Sequence, residues 1–117
     1  MKQNKDDLFL ADILEFCVHI EEYINDVEKA DFLKNRLLQD ALIRKIELIG
    51  EASKGLSEKI RDENPQIPWK DIMRMRDKII HHYFRLDLEI VWHTAKKDIV
   101  FLKQSIQEII EKIESND

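Results

Sequence analysis

Apolar residues recur at intervals of three and four positions along most of the chain, which is the period of an amphipathic α-helix. The first periodic segment predicts a helix over residues 5–26, with Asp6 and Asp7 where a helix N-terminus favours negative charge. Its apolar positions are Leu8, Ile13, Phe16, Cys17, Ile20, Ile24 and Val27. The pattern indicates one long helix that buries a single face.

The second periodic segment predicts a helix over residues 31–61, with Asp31 as its N-cap. Two glycines lie inside this segment, although each costs about 1 kcal/mol relative to alanine in a helix interior. Close approach of a neighbouring backbone would explain Gly50, and a kink near Gly55 is the alternative explanation.

The clearest interruption is the sequence DENPQIP at residues 62–68. Pro65 and Pro68 disfavour helix at the residue before each of them, and Pro68 suits the first position of a new helix. We therefore predict a third helix over residues 69–83. A fourth helix, capped by Asp87, accounts for most of the remaining chain.

Four helices with short connections predict an all-α fold, an up-down antiparallel four-helix bundle, and a single domain over residues 1–117. The composition agrees, because the 117 residues include only two glycines and two prolines, whereas strand-rich folds need many turns. The apolar stripes of the first and fourth helices are wide for so small a bundle. Part of that surface either pairs with a second copy or simply faces the core.

Charge and cysteine content narrow the possible functions. The formal net charge of −5 argues against a wholesale electrostatic grip on nucleic acid, but it leaves room for a local basic site. The single cysteine, Cys17, excludes an internal disulfide and a cysteine-based metal cage. Residues 1–7 lack the apolar core of a signal peptide, and no apolar run is long enough to span a bilayer. We therefore expect a cytoplasmic protein without a membrane partner.

The side chains best suited to catalysis or ligand binding lie in the segment WKDIMRMRDKIIHHYFRLD, residues 69–87. Residues 70–87 contain five Lys or Arg and three Asp, and His81 and His82 lie in the same stretch. A basic, histidine-bearing patch on an acidic protein can bind one phosphate group, but it cannot grip a long duplex.

Helical geometry relates these side chains to one another. Asp77 and His81 are four residues apart and lie side by side, so the carboxylate could hold one ring nitrogen of His81. Arg76 and His81 are separated by about 140° around the axis, given ~100° per residue. One straight helix cannot bring those two together, whereas a two-fold dimer that packs this helix against its copy could.

Structural explanations exist for the same residues. Arginines on a helix are usually solvated, a histidine near a helix C-terminus complements the dipole, and Tyr83 could be a core anchor. We predict no metal site, because no Glu-x-x-His or His-Glu-x-x-His sequence occurs. The pairs Glu15/His19 and Glu89/His93 are explained as surface contacts.

The order Arg76-Asp77-Lys78-Ile79-Ile80-His81-His82-Tyr83 resembles the Arg-x4-His-x-Tyr signature of HEPN domains. The similarity is to the branch that acts as toxins beside minimal nucleotidyltransferase antitoxins (the HEPN/MNT toxin–antitoxin family). Three further blocks are similar: Ile49-Gly50-Glu51-Ala52, Ile67-Pro68-Trp69 and Val91-Trp92. Together the blocks cover most of the chain.

This resemblance implies a homodimeric, metal-independent endoribonuclease that needs no cofactor. In such enzymes the RNA 2′-hydroxyl attacks the adjacent phosphate and the 5′-oxygen leaves. The resemblance makes Arg76 and His81 the catalytic pair, with Asp77 in support. It makes Tyr83 the residue that the partner nucleotidyltransferase modifies with AMP, to give O-AMP-tyrosine.

Two other functions compete with the toxin hypothesis. One is a non-catalytic helical partner that binds a nucleotidyltransferase, and the other is a plain dimeric scaffold. The presence of both Arg76 and His81 favours the nuclease, since a scaffold has no need of the pair. The net charge of −5 favours the non-catalytic partner.

Overall fold

The computed structural model describes residues 4–82 and 86–116, and within these ranges the chain forms helices and turns with no strand. The predicted all-α bundle is confirmed. Short turns join the helices within residues 4–82, and the last long helical segment contains one π-helical turn. The elements are α1 (Lys5–Ile24), α2 (Lys29–Phe32), α3 (Arg36–Gly55), α4 (Glu58–Glu63), α5 (Trp69–His82), α6 (Leu88–His93), the π-helical turn (Thr94–Asp98) and α7 (Ile99–Ser115).

The first helix begins where its sequence indicates. Asn4 and Asp7 form a capping box, in which each side chain accepts a hydrogen bond from the backbone N–H of the other, at 2.9 and 3.1 Å. The helix ends at Ile24, slightly earlier than predicted, because Asp26 adopts the left-handed backbone region with φ 60°. Aspartate tolerates this conformation better than most residues.

The prediction of one helix over residues 31–61 is wrong, because this segment contributes to α2, α3 and α4. The Asn35 side chain accepts a hydrogen bond from Leu38 N at 3.0 Å and starts α3, so Asp31 is not the N-cap. Ser57 starts α4 in the same way. Such side chains offer the backbone an alternative to a continuous helix. The break between α3 and α4 follows Gly55 directly.

The third and fourth predicted helices are confirmed in the part of the chain that is described. Helix α5 begins at Trp69 and extends to His82, and Tyr83 lies outside the described residues. Asp87 caps α6, because its carboxylate accepts a hydrogen bond from Glu89 N at 2.9 Å. Helices α6 and α7 form the fourth long segment of the bundle, with the π-helical turn between them.

The core lies where α1 packs against α3 and α7, while α3 also packs against α5. Cys17 is fully buried in it, and burial, with a further contribution from Glu21, raises the pKa of its thiol to about 12. This cysteine therefore stays protonated and acts as a small apolar residue. Among the described residues, no helix is both long and apolar enough to cross a membrane.

Helices α3 and α5 approach so closely that a side chain at Gly50 would have no room. A Cβ atom placed there would lie 2.4 Å from Arg76 Cβ and 3.1 Å from the carbonyl oxygen of Ile72. Of the two explanations offered for these glycines, the close approach at Gly50 agrees with this contact, and the chain also leaves the helix directly after Gly55. The absence of a side chain on α3 therefore sets the depth at which Arg76 enters the bundle.

We expect Gly50→Ala to lower the free energy of unfolding by about 1–3 kcal/mol, because overpacking outweighs the gain in helix propensity. Urea unfolding measures this change. Gly55→Ala is the comparison, since its Cβ would meet the tip of the Phe9 ring, which can turn aside at lower cost. A Gly50→Ala protein as stable as the parent would show that the close packing is not required.

Candidate functional site

Helix α5 carries the predicted site residues that are described. Arg76 faces α3, and its side chain retains 27% of its accessible surface. His81 and His82 are exposed at the C-terminal end of the helix. The fourth predicted residue, Tyr83, lies outside the described ranges.

The Arg76 guanidinium has unused hydrogen-bonding capacity. Its Nη1 contacts the Asp77 carboxylate oxygen Oδ1 at 3.4 Å. Its Nε is buried, and no acceptor for it exists among residues 4–82 and 86–116. A buried donor without a partner is uncommon in proteins, because removing it from water is costly. The guanidinium therefore uses only part of its hydrogen-bonding capacity within the described residues.

Asp77 is held by a cation that the sequence did not single out. Lys54, in the last turn of α3, donates a hydrogen bond from Nζ to Asp77 Oδ1 at 2.7 Å. This hydrogen bond lowers the pKa of the Asp77 carboxyl, desolvation opposes the shift, and the Arg76 contact adds to it. Asp77 is therefore ionised at neutral pH.

The predicted contact between Asp77 and His81 is not formed within the described residues. The carboxylate contacts Lys54 and Arg76, although His81 lies one turn further along the same helix. The ring of His81 neighbours that of His82, with 6.4 Å between centroids. In this structure Asp77 contacts the two cations, and the imidazole of His81 is exposed beside His82.

The structure therefore brings Arg76, Asp77 and Lys54 together and leaves His81 apart from them. Arg76 packs against α3, while His81 faces solvent, as expected from their separation around the helix. The spacing of Gly50 and Lys54, four residues apart, was the available sequence signal for the third member. Residues four apart share a helix face, so Lys54 lies on the face of α3 that packs against α5 at Gly50.

Two concave regions are lined in part by other residues of α5. A larger, mostly apolar groove of about 370 Å³ lies between α3, α5 and the last helical segment, and Ile90 and Phe101 on its wall are about half exposed. A smaller cavity of about 350 Å³ includes His82. Neither is lined by Arg76, Asp77 or His81, so the polar cluster is a separate feature of the surface.

The acidic and histidine residues of the described segments do not assemble a metal site. No three His, Cys, Asp or Glu side chains in those segments are grouped closely enough to hold an ion. His19 Nε2 lies 3.7 Å from Glu15 as a surface contact, whereas His93 contacts Asp98 at 3.8 Å. Glu89 instead pairs with Lys29.

Comparison with known proteins decides the family. The family model described as "Ribonuclease HepT-like" matches residues 13–109, a range that includes α3, α5 and the cluster of Lys54, Arg76 and Asp77. The chain belongs to the HepT-like ribonuclease family. This is a HEPN-type family, so the resemblance drawn from the segment Arg76 to Tyr83 is confirmed.

Curated relatives agree with membership of the HepT-like family. A Thermococcus cleftensis protein named probable ribonuclease HepT is 41% identical over 109 residues, which cover 93% of this chain and 98% of that protein. A Caldanaerobacter subterraneus protein, whose name gives RNase as a provisional assignment, is 38% identical over 89% of this chain and 93% of its own length.

One relative has a second activity in its name. A Methanocaldococcus jannaschii protein, named a gamma-glutamylcyclotransferase and provisionally an RNase, is 45% identical over 93% of this chain. The HepT-like chain spans 49% of that protein, about half of its length. No solved structure matches the chain significantly.

Proposed function

We propose that this HepT-like protein is an endoribonuclease that cleaves RNA without a metal ion. The observation that carries the proposal is the pair of cations, the partly exposed Arg76 guanidinium and Lys54, that meet on one carboxylate oxygen of Asp77. An exposed histidine, His81, lies on the same helix. The family and the names of the relatives supply the substrate class.

The proposed reaction is an intramolecular transesterification. The 2′-hydroxyl oxygen attacks the adjacent phosphorus, the bond from phosphorus to the 5′-oxygen breaks, and a 2′,3′-cyclic phosphate forms. The 2′-hydroxyl loses a proton and the departing 5′-oxygen gains one; His81 carries out one of these two transfers and water the other. Arg76 binds the non-bridging oxygens, where negative charge increases in the transition state, and its planar fork suits them. Asp77 supports the site by holding Arg76.

We propose further that the site is completed in a homodimer. Arg76 and His81 lie on different faces of α5, so the two side chains of one chain do not reach the same phosphate. A two-fold axis beside α5 would place His81 of one protomer near Arg76 of its partner. The half-exposed Ile90 and Phe101 provide apolar surface next to α5 that such a contact would cover.

The proposed biological role is that of a toxin in a type II toxin–antitoxin system, with a minimal nucleotidyltransferase as antitoxin. The resemblance of the segment that ends at Tyr83 supports this role and the transfer of AMP to that tyrosine. The second candidate is a non-catalytic partner of the nucleotidyltransferase. It is favoured by the net charge of −5 and by the absence of an orienting carboxylate on His81 among the described contacts.

The first prediction of this proposal is cleavage that persists in EDTA and leaves 2′,3′-cyclic phosphate ends. His81→Ala should reduce the rate by about 10²–10⁴-fold because it removes general acid–base catalysis. Arg76→Lys should reduce it by about tenfold or more, because lysine cannot make the bidentate contact. Purified protein, total RNA and end-group analysis provide the measurement.

His82→Ala is the matched control, since it removes the neighbouring exposed histidine and should leave cleavage intact. Cleavage that is abolished by EDTA and restored by magnesium would refute the metal-independent mechanism. No cleavage of any RNA, combined with tight binding to a nucleotidyltransferase, would support the non-catalytic alternative.

The second prediction is a dimer in solution at micromolar concentration, with twice the mass of the 14.0 kDa chain. Phe101→Glu should shift the protein towards monomer, because it places a charge in the apolar contact. Leu37→Glu should not, although Leu37 is 83% exposed, because it lies at the start of α3, away from the groove. Light scattering distinguishes these outcomes, and a parent protein that is purely monomeric would eliminate the composite site.

The third prediction concerns control of the proposed nuclease. Co-expression with its nucleotidyltransferase should add AMP to Tyr83 and silence cleavage, because the new phosphate and its bulk would occupy the site beside Arg76. Tyr83→Phe should remain toxic and escape modification. Mass spectrometry of the neutralised protein gives the answer, since unmodified Tyr83 would show that binding alone inhibits.

A further inference from the structure

Two cations from different helices converge on a single carboxylate oxygen. Lys54 Nζ from α3 and Arg76 Nη1 from α5 lie 2.7 and 3.4 Å from Oδ1 of Asp77. These three side chains therefore carry a net charge of +1. The arrangement resembles the way in which an oxygen of a phosphate group is held by two cationic side chains.

The cluster is open to a ligand from solvent. The side chains of Lys54 and Asp77 are 39% and 47% exposed, and the Arg76 side chain keeps 27% of its accessible surface. An incoming anion can therefore reach the lysine and the exposed part of the guanidinium, while the buried Nε lies out of its reach. Ion pairs this exposed contribute little to stability, so stabilisation of the fold is a weak explanation for the cluster.

The packing of α3 against α5 places Lys54 at this point. Gly50 and Lys54 are four residues apart and lie on the same face of α3. Gly50 accommodates the Cβ of Arg76, and Lys54 one turn later reaches the next residue of α5, Asp77. The same contact between helices thus positions both cations.

We propose that Lys54 is a phosphate-binding residue of this site, and that Asp77 is an internal counter-ion which an RNA backbone phosphate displaces. This proposal rests on the proposed function only in taking RNA as the ligand. It gives Asp77 a role in phosphate binding, through Lys54 and Arg76, and no role in orienting His81. The carboxylate keeps two cations together in the free protein and competes with the substrate for them.

The test is binding of a short, mixed-sequence 2′-O-methyl RNA, which lacks the hydroxyl nucleophile and cannot be cleaved by the proposed reaction. Lys54→Gln should weaken binding several-fold. It should also reduce the slope of log affinity against log salt concentration by about 0.7, the value for one phosphate contact on a single strand. Fluorescence anisotropy over a salt series measures both quantities.

Two variants control for fold and for total charge. Lys54→Arg keeps a cation at the position and should recover the slope and most of the affinity that Lys54→Gln loses. Lys34→Gln removes the same charge beyond the opposite end of α3, and it should change neither. If Lys54→Gln behaves like Lys34→Gln, Lys54 does not bind phosphate and the proposal fails.

Asp77→Asn separates a counter-ion from a group that orients His81. If Asp77 competes with RNA, the variant should bind the probe about threefold tighter or more. The reason is that RNA no longer has to break an exposed ion pair, and the energy of such a pair corresponds to an affinity change of about that size. Weaker binding would overturn the counter-ion role. The thermal midpoint of each variant verifies that it is folded.

Cleavage of unmodified RNA, assayed in parallel, keeps the two proposals distinguishable. If RNA is cleaved and Lys54→Gln raises neither KM nor the dissociation constant of the probe, the proposed nuclease activity stands and the proposed role of Lys54 is wrong. If nothing is cleaved but the Lys54→Gln and Asp77→Asn effects on binding appear, the phosphate site stands and the nuclease falls.

Discussion

The close contact between α3 and α5 at Gly50 is the constraint on which the rest of the site depends. A side chain larger than hydrogen would push α5 outwards, because Arg76 Cβ occupies the space that a Cβ at Gly50 would need. With that space available, the guanidinium is partly withdrawn from water and Lys54 lies within reach of Asp77. Because Gly50 has no side chain, α5 packs closely enough on α3 for Lys54 and Arg76 to meet at Asp77.

Charge is organised locally on a protein that is acidic as a whole. The net charge of −5 disfavours indiscriminate attraction of nucleic acid. In the proposed phosphate site, Lys54 and Arg76 would instead offer a single position for one phosphate, which the Asp77 carboxylate occupies in the free protein. Such an arrangement suits an enzyme that acts on one linkage at a time, which agrees with membership of the HepT-like ribonuclease family.

The hydrophobic pattern and the cap residues were sufficient for the fold class, for α1 and α5 and for the Asp87 cap, because each follows from local geometry. The close approach at Gly50 was only one of two explanations that the sequence allowed, because it depends on a second helix. The second predicted helix failed because Asn35 and Ser57 cap new helices within a continuous apolar period. Periodicity alone does not register such caps.

Prediction of the candidate site was less complete, and for a different reason. Lys54 escaped notice because a lysine on a helix face has no distinguishing feature until its neighbour across the interface is known. The i, i+4 spacing correctly placed Asp77 and His81 on adjacent turns. It could not show that a cation on another helix would attract the carboxylate away from the histidine.

We propose that Arg76 of one protomer and His81 of its partner act on the same phosphate. A complementation assay mixes Arg76→Ala and His81→Ala proteins, each expected to be inactive alone, under conditions that exchange subunits, and follows RNA cleavage. A composite site predicts recovery of about a quarter of the parent activity, because half of the dimers are mixed and each has one intact site. No recovery in verified mixed dimers would contradict the claim, since a site within one chain cannot be restored by its partner.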